Sequence, residues 1–332
     1  MAMRLGRIVV TIAAVSGGLG GVAARAETLP VLGIYAAGTD APSRAKSIAI
    51  AHFSGRGGER LAFAIDSALR AAIIEGRPYF DLTFTPPAFG DSYTYDGSPE
   101  RPAAQSGPDA VMRGIAEVEW RDVDSGAKEV EECVAKDSAD KCLEKKKVSY
   151  PCRAREVTFR PEVRLFAREG DLLYAKGDTL MAISRFCKDE EGSPSVDSMV
   201  EEMALGFADE IRLDLAPLHR VDDIRVLESR DGMSKADQAA FRAALRLTKT
   251  DVAGACRAFE ALEATNPQNV TILFNAGLCR EGGGQLDLAG RSYYEVLAIK
   301  PGKPEAQEGL ARIASRVRAE RQLFIHYGES DR

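Results

Sequence analysis

The C-terminal third of this chain repeats itself. Ala255, Phe259, Leu262 and Pro267 return 34 residues later as Ala289, Tyr293, Val296 and Pro301, and Ala243 returns as Gly277. A period of that length marks a repeated supersecondary unit, not one helix or one strand. Within each unit the Ala and the aromatic four positions on share a helical face. A small residue marks a close helix crossing, and Pro stands just past the second helix, which it cannot continue. One such helix pair cannot bury its apolar face alone, so successive pairs must stack, and the stack is expected to leave a curved groove open.

This spacing and pattern resemble the tetratricopeptide repeat. The resemblance covers residues 235–322, as two repeats and a closing helix, with Ala243, Ala255, Phe259, Pro267, Gly277, Ala289, Tyr293 and Pro301 as its framework. It implies a groove that binds other proteins. Arg246 and Arg280 depart from it, standing where the family usually carries an aromatic.

The other end of the chain predicts export. Arg4 and Arg7 precede an apolar stretch, Ile8 to Val15, and Ala24, Arg25 and Ala26 form a small-x-small cleavage site before Glu27, so residues 1–26 read as a signal peptide cleaved after Ala26. The stretch is short and is followed by Gly17, Gly18, Gly20 and Gly21, which does not suit a membrane span. No cysteine follows the cleavage site to carry a lipid. A soluble periplasmic protein that does not insert into membranes is expected. The net charge of −6 gives no bulk attraction for nucleic acid.

Export decides how the six cysteines are read. In an oxidising compartment an even set closes as disulfides, and no CxxC-type spacing suggests a metal instead. Cys152 and Cys187 lie equidistant from a Glu169, Gly170 turn, so a tight hairpin places them opposite each other. Cys133 and Cys142 bracket a polar loop, Val134 to Lys141. Cys256 and Cys279 fall on antiparallel helices of successive repeats. The pairs expected are therefore Cys133 with Cys142, Cys152 with Cys187, and Cys256 with Cys279.

At 332 residues the chain should form two folded units. Residues 27–46 read as an extended lead-in with a short strand at Val31 to Tyr35. A domain over 47–217 follows, then a linker over 218–234, the repeats over 235–322 and a tail over 323–332. Within 47–217, Ser47 to Phe53 reads as a buried strand, and Leu61, Ile65, Leu69 and Ile73 give a helical period up to Gly76. Phe80 to Phe84 returns as a strand, and Pro86 to Pro108 is a loop rich in Pro, Gly, Ser and Asp. Strands resume at Ala110 to Trp120 and from Val130. Val157, Phe159, Val163, Leu165 and Ala167 alternate with charged residues, and Leu172 to Phe186 returns to complete a long hairpin. Val196, Met199, Val200, Met203, Phe207 and Ile211 form the core stripe of a closing helix. The fold class expected is α+β: an N-terminal α/β sandwich with a mixed sheet and a long β-hairpin, then an all-α repeat domain.

The run IAIAHFSGRGGERLAFAIDSALRAAIIEGRPYF, the hairpin and the helix SMVEEMALGFADEIRLDLAP resemble the periplasmic α/β domain shared by the curli-secretion channel family and the penicillin-binding-protein activator lipoproteins. The resemblance runs over 47–216 and rests on element order. It implies an envelope role and, through the channel family, an oligomeric pore subunit as an alternative function. A pore hairpin needs an uninterrupted apolar lipid face. Here Arg160, Glu162, Arg164 and Arg168 charge one face, while Pro161, Lys176 and Asp178 interrupt the other.

Catalytic signals are weak, leaving an enzyme of unrecognised type as the second alternative. His52, His219 and His326 lie in no known catalytic motif, and only His52 falls near a cleft-forming strand end. Gly55, Gly57 and Gly58 enter a helix and read as a tight turn in preference to an anion site. Acidic clusters at Glu129, Glu131, Glu132 and at Asp189, Glu190, Glu191 lack calcium-loop spacing and read as solvated charge, as do Lys145, Lys146 and Lys147. No cofactor or metal is expected. The reading is a non-enzymatic periplasmic adaptor with protein partners in the cell envelope.

Overall fold

A computed structural model describes residues 27–84, 107–190 and 192–328. The signal peptide expected over 1–26 and most of the loop expected from Pro86 lie outside the described residues. The chain divides into two compact units, one spanning Arg44–Leu215 and the other combining the described residues up to Ser43 with those from Ala216 onward. The architecture is α+β, with a mixed six-stranded sheet in the first unit and a set of helices in the second.

The second unit begins with strand β1 (Thr28–Tyr35). The first unit opens with β2 (Ser47–Ile50) and helix α1 (Gly58–Arg70). A small hairpin follows, β3 (Ile73–Ile74) and β4 (Arg77–Pro78), then β5 (Asp81–Phe84). Two very long strands, β6 (Ala110–Lys136) and β7 (Cys142–Ala167), precede β8 (Leu172–Gly177), β9 (Leu180–Cys187) and helix α2 (Val196–Leu215). β2 runs parallel to β5 and β6, whereas β6, β7 and the β8/β9 pair are antiparallel neighbours.

Helices α1 and α2 pack on each other and on β6 and β7. Val157, Phe159, Val163 and Leu165 bury the face of β7 turned to them, while Arg160 and Arg164 point the other way. Met199, Val200, Phe207 and Ile211 answer from α2, each burial contributing about 1.5–3 kcal/mol. The helical period expected through Ile73 stops at Arg70. Ile73 is exposed and Ile74 buried, because Glu75 (φ 52°) and Gly76 (φ 79°) form a two-residue hairpin turn with both residues left-handed.

The long hairpin expected, β7 with the returning β8/β9, is present, and β6 with β7 forms a longer one. At 27 and 26 residues, these strands run about 85–90 Å. The interruption expected between Trp120 and Val130 is instead a bulge between Asp124 and Ala127, where Gly126 takes φ +75° and donates its N–H to Asp124 Oδ1 at 2.9 Å.

In the second unit, β1 pairs antiparallel along its whole length with β10 (Leu218–Arg225). The lead-in and the linker expected from the sequence are therefore the two strands of one ribbon. Alternation in β1 shows why: Leu29, Val31 and Tyr35 are buried and Pro30 and Leu32 exposed. Helices α3 (Lys235–Leu247), α4 (Val252–Thr265), α5 (Val270–Gly282), α6 (Leu286–Ile299) and α7 (Pro304–Tyr327) follow as antiparallel neighbours. Ser234, Asp251 and Asn269 cap α3, α4 and α5 through side-chain oxygens. The segment expected as a tail continues α7 as far as Tyr327.

Candidate functional site

The inner face of the helical unit is built around α5, which is buried from Thr271 through Cys279 and again at Glu281. A helix buried all round needs a neighbour on every side. Helices α4 and α6 supply two, with Phe259 and Tyr293 in the common core. The third is the chain's own N-terminal strand: Leu29 and Val31 of β1 join that core, as do Val226 and Met233 from the segment after β10. The groove expected to stand open over α5 is thus filled from within the chain.

The filling segment is gripped by its backbone. Asn275, fully buried in α5, accepts Leu227 N–H at 2.9 Å and donates to Leu227 O at 2.9 Å. Asn269 donates to Asp231 O at 2.8 Å while capping α5 through its own oxygen. Both contacts read main chain and ignore side-chain identity. Farther along, Gln322 of α7 accepts Ala37 N–H at 2.8 Å and donates to Thr39 O, and buried His326 places Nδ1 3.2 Å from Ser43 O. His326, read as a tail residue, therefore holds the chain's N-terminal segment.

The framework residues of the repeat separate into two groups. Ala255, Phe259, Gly277, Ala289 and Tyr293 are buried, and Pro267 and Pro301 stand exposed in the turns after α4 and α6. Tyr293 lies between two glycines: a Cβ at Gly277 would come within 3.0 Å of its ring and one at Gly309 within 2.4 Å. Ala243 departs from expectation. It is exposed, because α3 buries Phe241 and Ala244, a stripe turned by one residue from the one expected.

Arg280, where the resemblance led to an aromatic, makes paired hydrogen bonds to Glu263 of α4 and reaches Ser292 Oγ of α6 at 2.5 Å. One guanidinium thus bridges three helices. Next to it Glu281 is wholly buried and receives Arg312 at 2.8 and 2.7 Å and the Tyr293 hydroxyl at 2.6 Å, while Arg316 donates to its main-chain oxygen at 2.9 Å. Burial first, then the Glu281 charge, raises the Tyr293 pKa. Burial would lower that of Arg312, but its bonds to Glu281 outweigh this and raise it. The cluster joins α5, α6 and α7.

In the first unit the residues with chemistry are likewise engaged in holding the fold. Lys176 Nζ of β8 pairs with Glu210 and Asp214 of α2 at 2.9 and 3.0 Å, and Tyr174 donates to Asp214 at 2.7 Å. Arg155 chelates Asp122 at 2.8 Å, donates to Pro194 O at 2.6 Å and lies over the Trp120 and Phe186 rings. His52 is exposed, as is His219 on β10 of the second unit. The glycine turn offers no anion cradle at Gly57 and Gly58, whose N–H groups go to Ala116 O and Gly55 O. A Cβ at Gly57 would strike the Phe159 ring at 2.7 Å, so close packing accounts for the glycine.

The six cysteines form three disulfides, Cys133–Cys142, Cys152–Cys187 and Cys256–Cys279, with Cα separations of 5.7, 4.0 and 5.4 Å. Cys152 and Cys187 are direct cross-strand partners. The register shift in that hairpin lies at Leu165/Phe166, between the turn and the cysteines; from Leu165 opposite Tyr174 outward, past Gly177, the register is constant and brings Cys152 opposite Cys187. Among the described residues one acid and thiol cluster has ligand-like spacing, Cys187 with Asp189 and Glu190. Its thiol is in a disulfide and Lys128 pairs with both carboxylates at 2.9 and 3.0 Å, so it does not suit a metal. No described helix is long and apolar enough to cross a membrane. No protein-family model matches the chain, and no curated protein shows significant similarity to it.

Proposed function

We propose that this protein is an exported, non-enzymatic adaptor of the periplasm, built on tetratricopeptide-like helix pairs and contacting protein partners in the cell envelope. The observation that carries the reading is the stack of antiparallel helix pairs from α3 to α7 around the buried framework residues Ala255, Phe259, Gly277, Ala289 and Tyr293, an architecture whose extended surfaces serve in binding. Three disulfides support an oxidising compartment. The pairing of the strongest polar clusters within the fold supports a binding role over catalysis.

The partner surface in this reading lies off the α5 inner face. Exposing Leu29, Val31, Val226 and Met233 would cost about 1.5–3 kcal/mol per side chain, more than a transient partner recovers. Crosslinking pull-down of the disulfide-bonded protein from envelope extract should capture a defined partner, while a screen across metabolite classes should show no turnover. A reproducible turnover lost in His52→Ala would replace this reading with an enzymatic one.

A further inference from the structure

The distal part of the β6–β7 hairpin is a two-stranded ribbon with both edges open. Strand β2 leaves β6 after Met112, and one isolated bridge at Ile115 is the last strand contact on that side. On the other side β9 ends opposite Cys152, where Lys188 N–H bonds to Pro151 O at 3.1 Å. Beyond these points no further strand pairs with either edge among the described residues, and the turn after β9 reaches β6 only at Lys128, which pairs with Asp189 and Glu190. An isolated two-stranded ribbon is marginal in water, and the Cys133–Cys142 bond staples this one near its tip.

The two edges carry opposite charge. The β6 edge has Glu129, Glu131 and Glu132, and the β7 edge has Lys145, Lys146 and Lys147. Within the hairpin Glu131 faces Lys147 and Glu132 faces Lys146, yet the ion pair formed is Lys145 to Glu131 at 3.6 Å, and Lys146 and Lys147 make none among the described residues. We propose that this ribbon associates with a second copy of the chain, the β6 edge of one against the β7 edge of the next, in the register the hairpin already uses. That register sets Glu131 and Glu132 each between two lysines, Glu129 between two copies of Ser149, and Val130 beside Val148. Pairing β6 with β6, or β7 with β7, would set like charges opposite each other, which destabilises. The contact is therefore head-to-tail, generating a ring or an open chain.

This association does not depend on the adaptor reading. Sedimentation of the purified, disulfide-bonded protein should show self-association that weakens by about tenfold or more as salt rises from about 0.1 M to about 1 M, which cuts the screening length from about 10 to about 3 Å. Pro151 presents its carbonyl outward, so Ser149, two residues away, presents its N–H on the same outer edge. Ser149→Pro should abolish association and leave the hairpin's own ladder and disulfides intact. Proteins reversed in charge at 145, 146 and 147 or at 129, 131 and 132 should each be monomeric and should associate when mixed. A monomer at every salt and concentration, or an association indifferent to salt and to Ser149→Pro, overturns the proposal.

Discussion

The two units solve the problem of a long polar chain by opposite routes. The sheet unit sends its two longest strands beyond the reach of its helices, where no core can form, and ties them together there with Cys133–Cys142, while the buried Cys152–Cys187 joins β7 to β9. The helical unit encloses polarity: Asn275 and Glu281 lie fully buried, with every interaction supplied by the surrounding chain, and Cys256–Cys279 joins two helices that already share a core. At the ribbon tip a crosslink thus stands in for burial. Hydrogen-bond satisfaction matters most where burial is complete.

Four measurements test this contrast. The largest effect is expected from Glu281→Ala, which strands the Arg312 guanidinium in the interior. Loss of one partner from a buried pair costs about 3–5 kcal/mol, and denaturant unfolding of the helical unit should register it while the hairpin disulfides stay closed. If Glu281→Ala proves neutral, burial is not what makes this cluster matter.

Next comes Cys152→Ala with Cys187→Ala, expected to lose about 2–4 kcal/mol. The same change at Cys133 and Cys142 should cost less, since it closes the shorter loop, 9 residues against 35. Thermal unfolding of the two double variants side by side decides the order, and non-reducing peptide mapping checks the three pairings. Equal losses would mean that loop length is not the controlling quantity.

Asn275→Ala should cost about 1–3 kcal/mol by leaving the Leu227 N–H and C=O without partners. The sharper readout is hydrogen exchange of the Leu227 amide, which should accelerate more than amides at the centre of α6. Unchanged protection at Leu227 would show that β10 packing alone holds the segment.

The smallest effect concerns acid. Burial would raise the Asp109 pKa, but hydrogen bonds from Ser47 and Lys46, with the Arg168 charge, hold it below the usual carboxylate value. A depressed folded pKa contributes stability above the unfolded value of about 3.9 and loses it as pH falls through the folded one. The sheet unit should therefore weaken below about pH 4, and Asp109→Asn should flatten that decline. A slope unchanged by Asp109→Asn assigns the acid sensitivity to other carboxylates.

Local signals read well wherever one element carries its own pattern. The stripe of α2, the β7 alternation and the turn at Gly170 are all periodic within a single segment, so the Cys152–Cys187 register followed from counting residues to the turn. Ile73 misled because its spacing continues the α1 period, while the Glu75 and Gly76 turn takes the chain out of the helix first. Ala243 misled because the repeat defines a position, whereas α3 turns a face set by Phe241 against Phe259. His326 and Asn275 carried no local signal, since their partners lie 283 and 48 residues away.

By itself the sequence determined what depends on short-range order: which segments are helices and strands, where they turn, and which cysteines lie opposite each other. Tertiary structure alone decided that the lead-in and the linker are the two strands of one ribbon, that this ribbon helps fill the inner face of α5, and that Arg280 and Glu281 pair with Glu263 and Arg312. The physical reason is range. Periodicity reports which face of an element is apolar, but not which distant segment will cover it, and that choice is made by pairing backbone groups and buried charges across some two hundred residues of chain, as between β1 and β10.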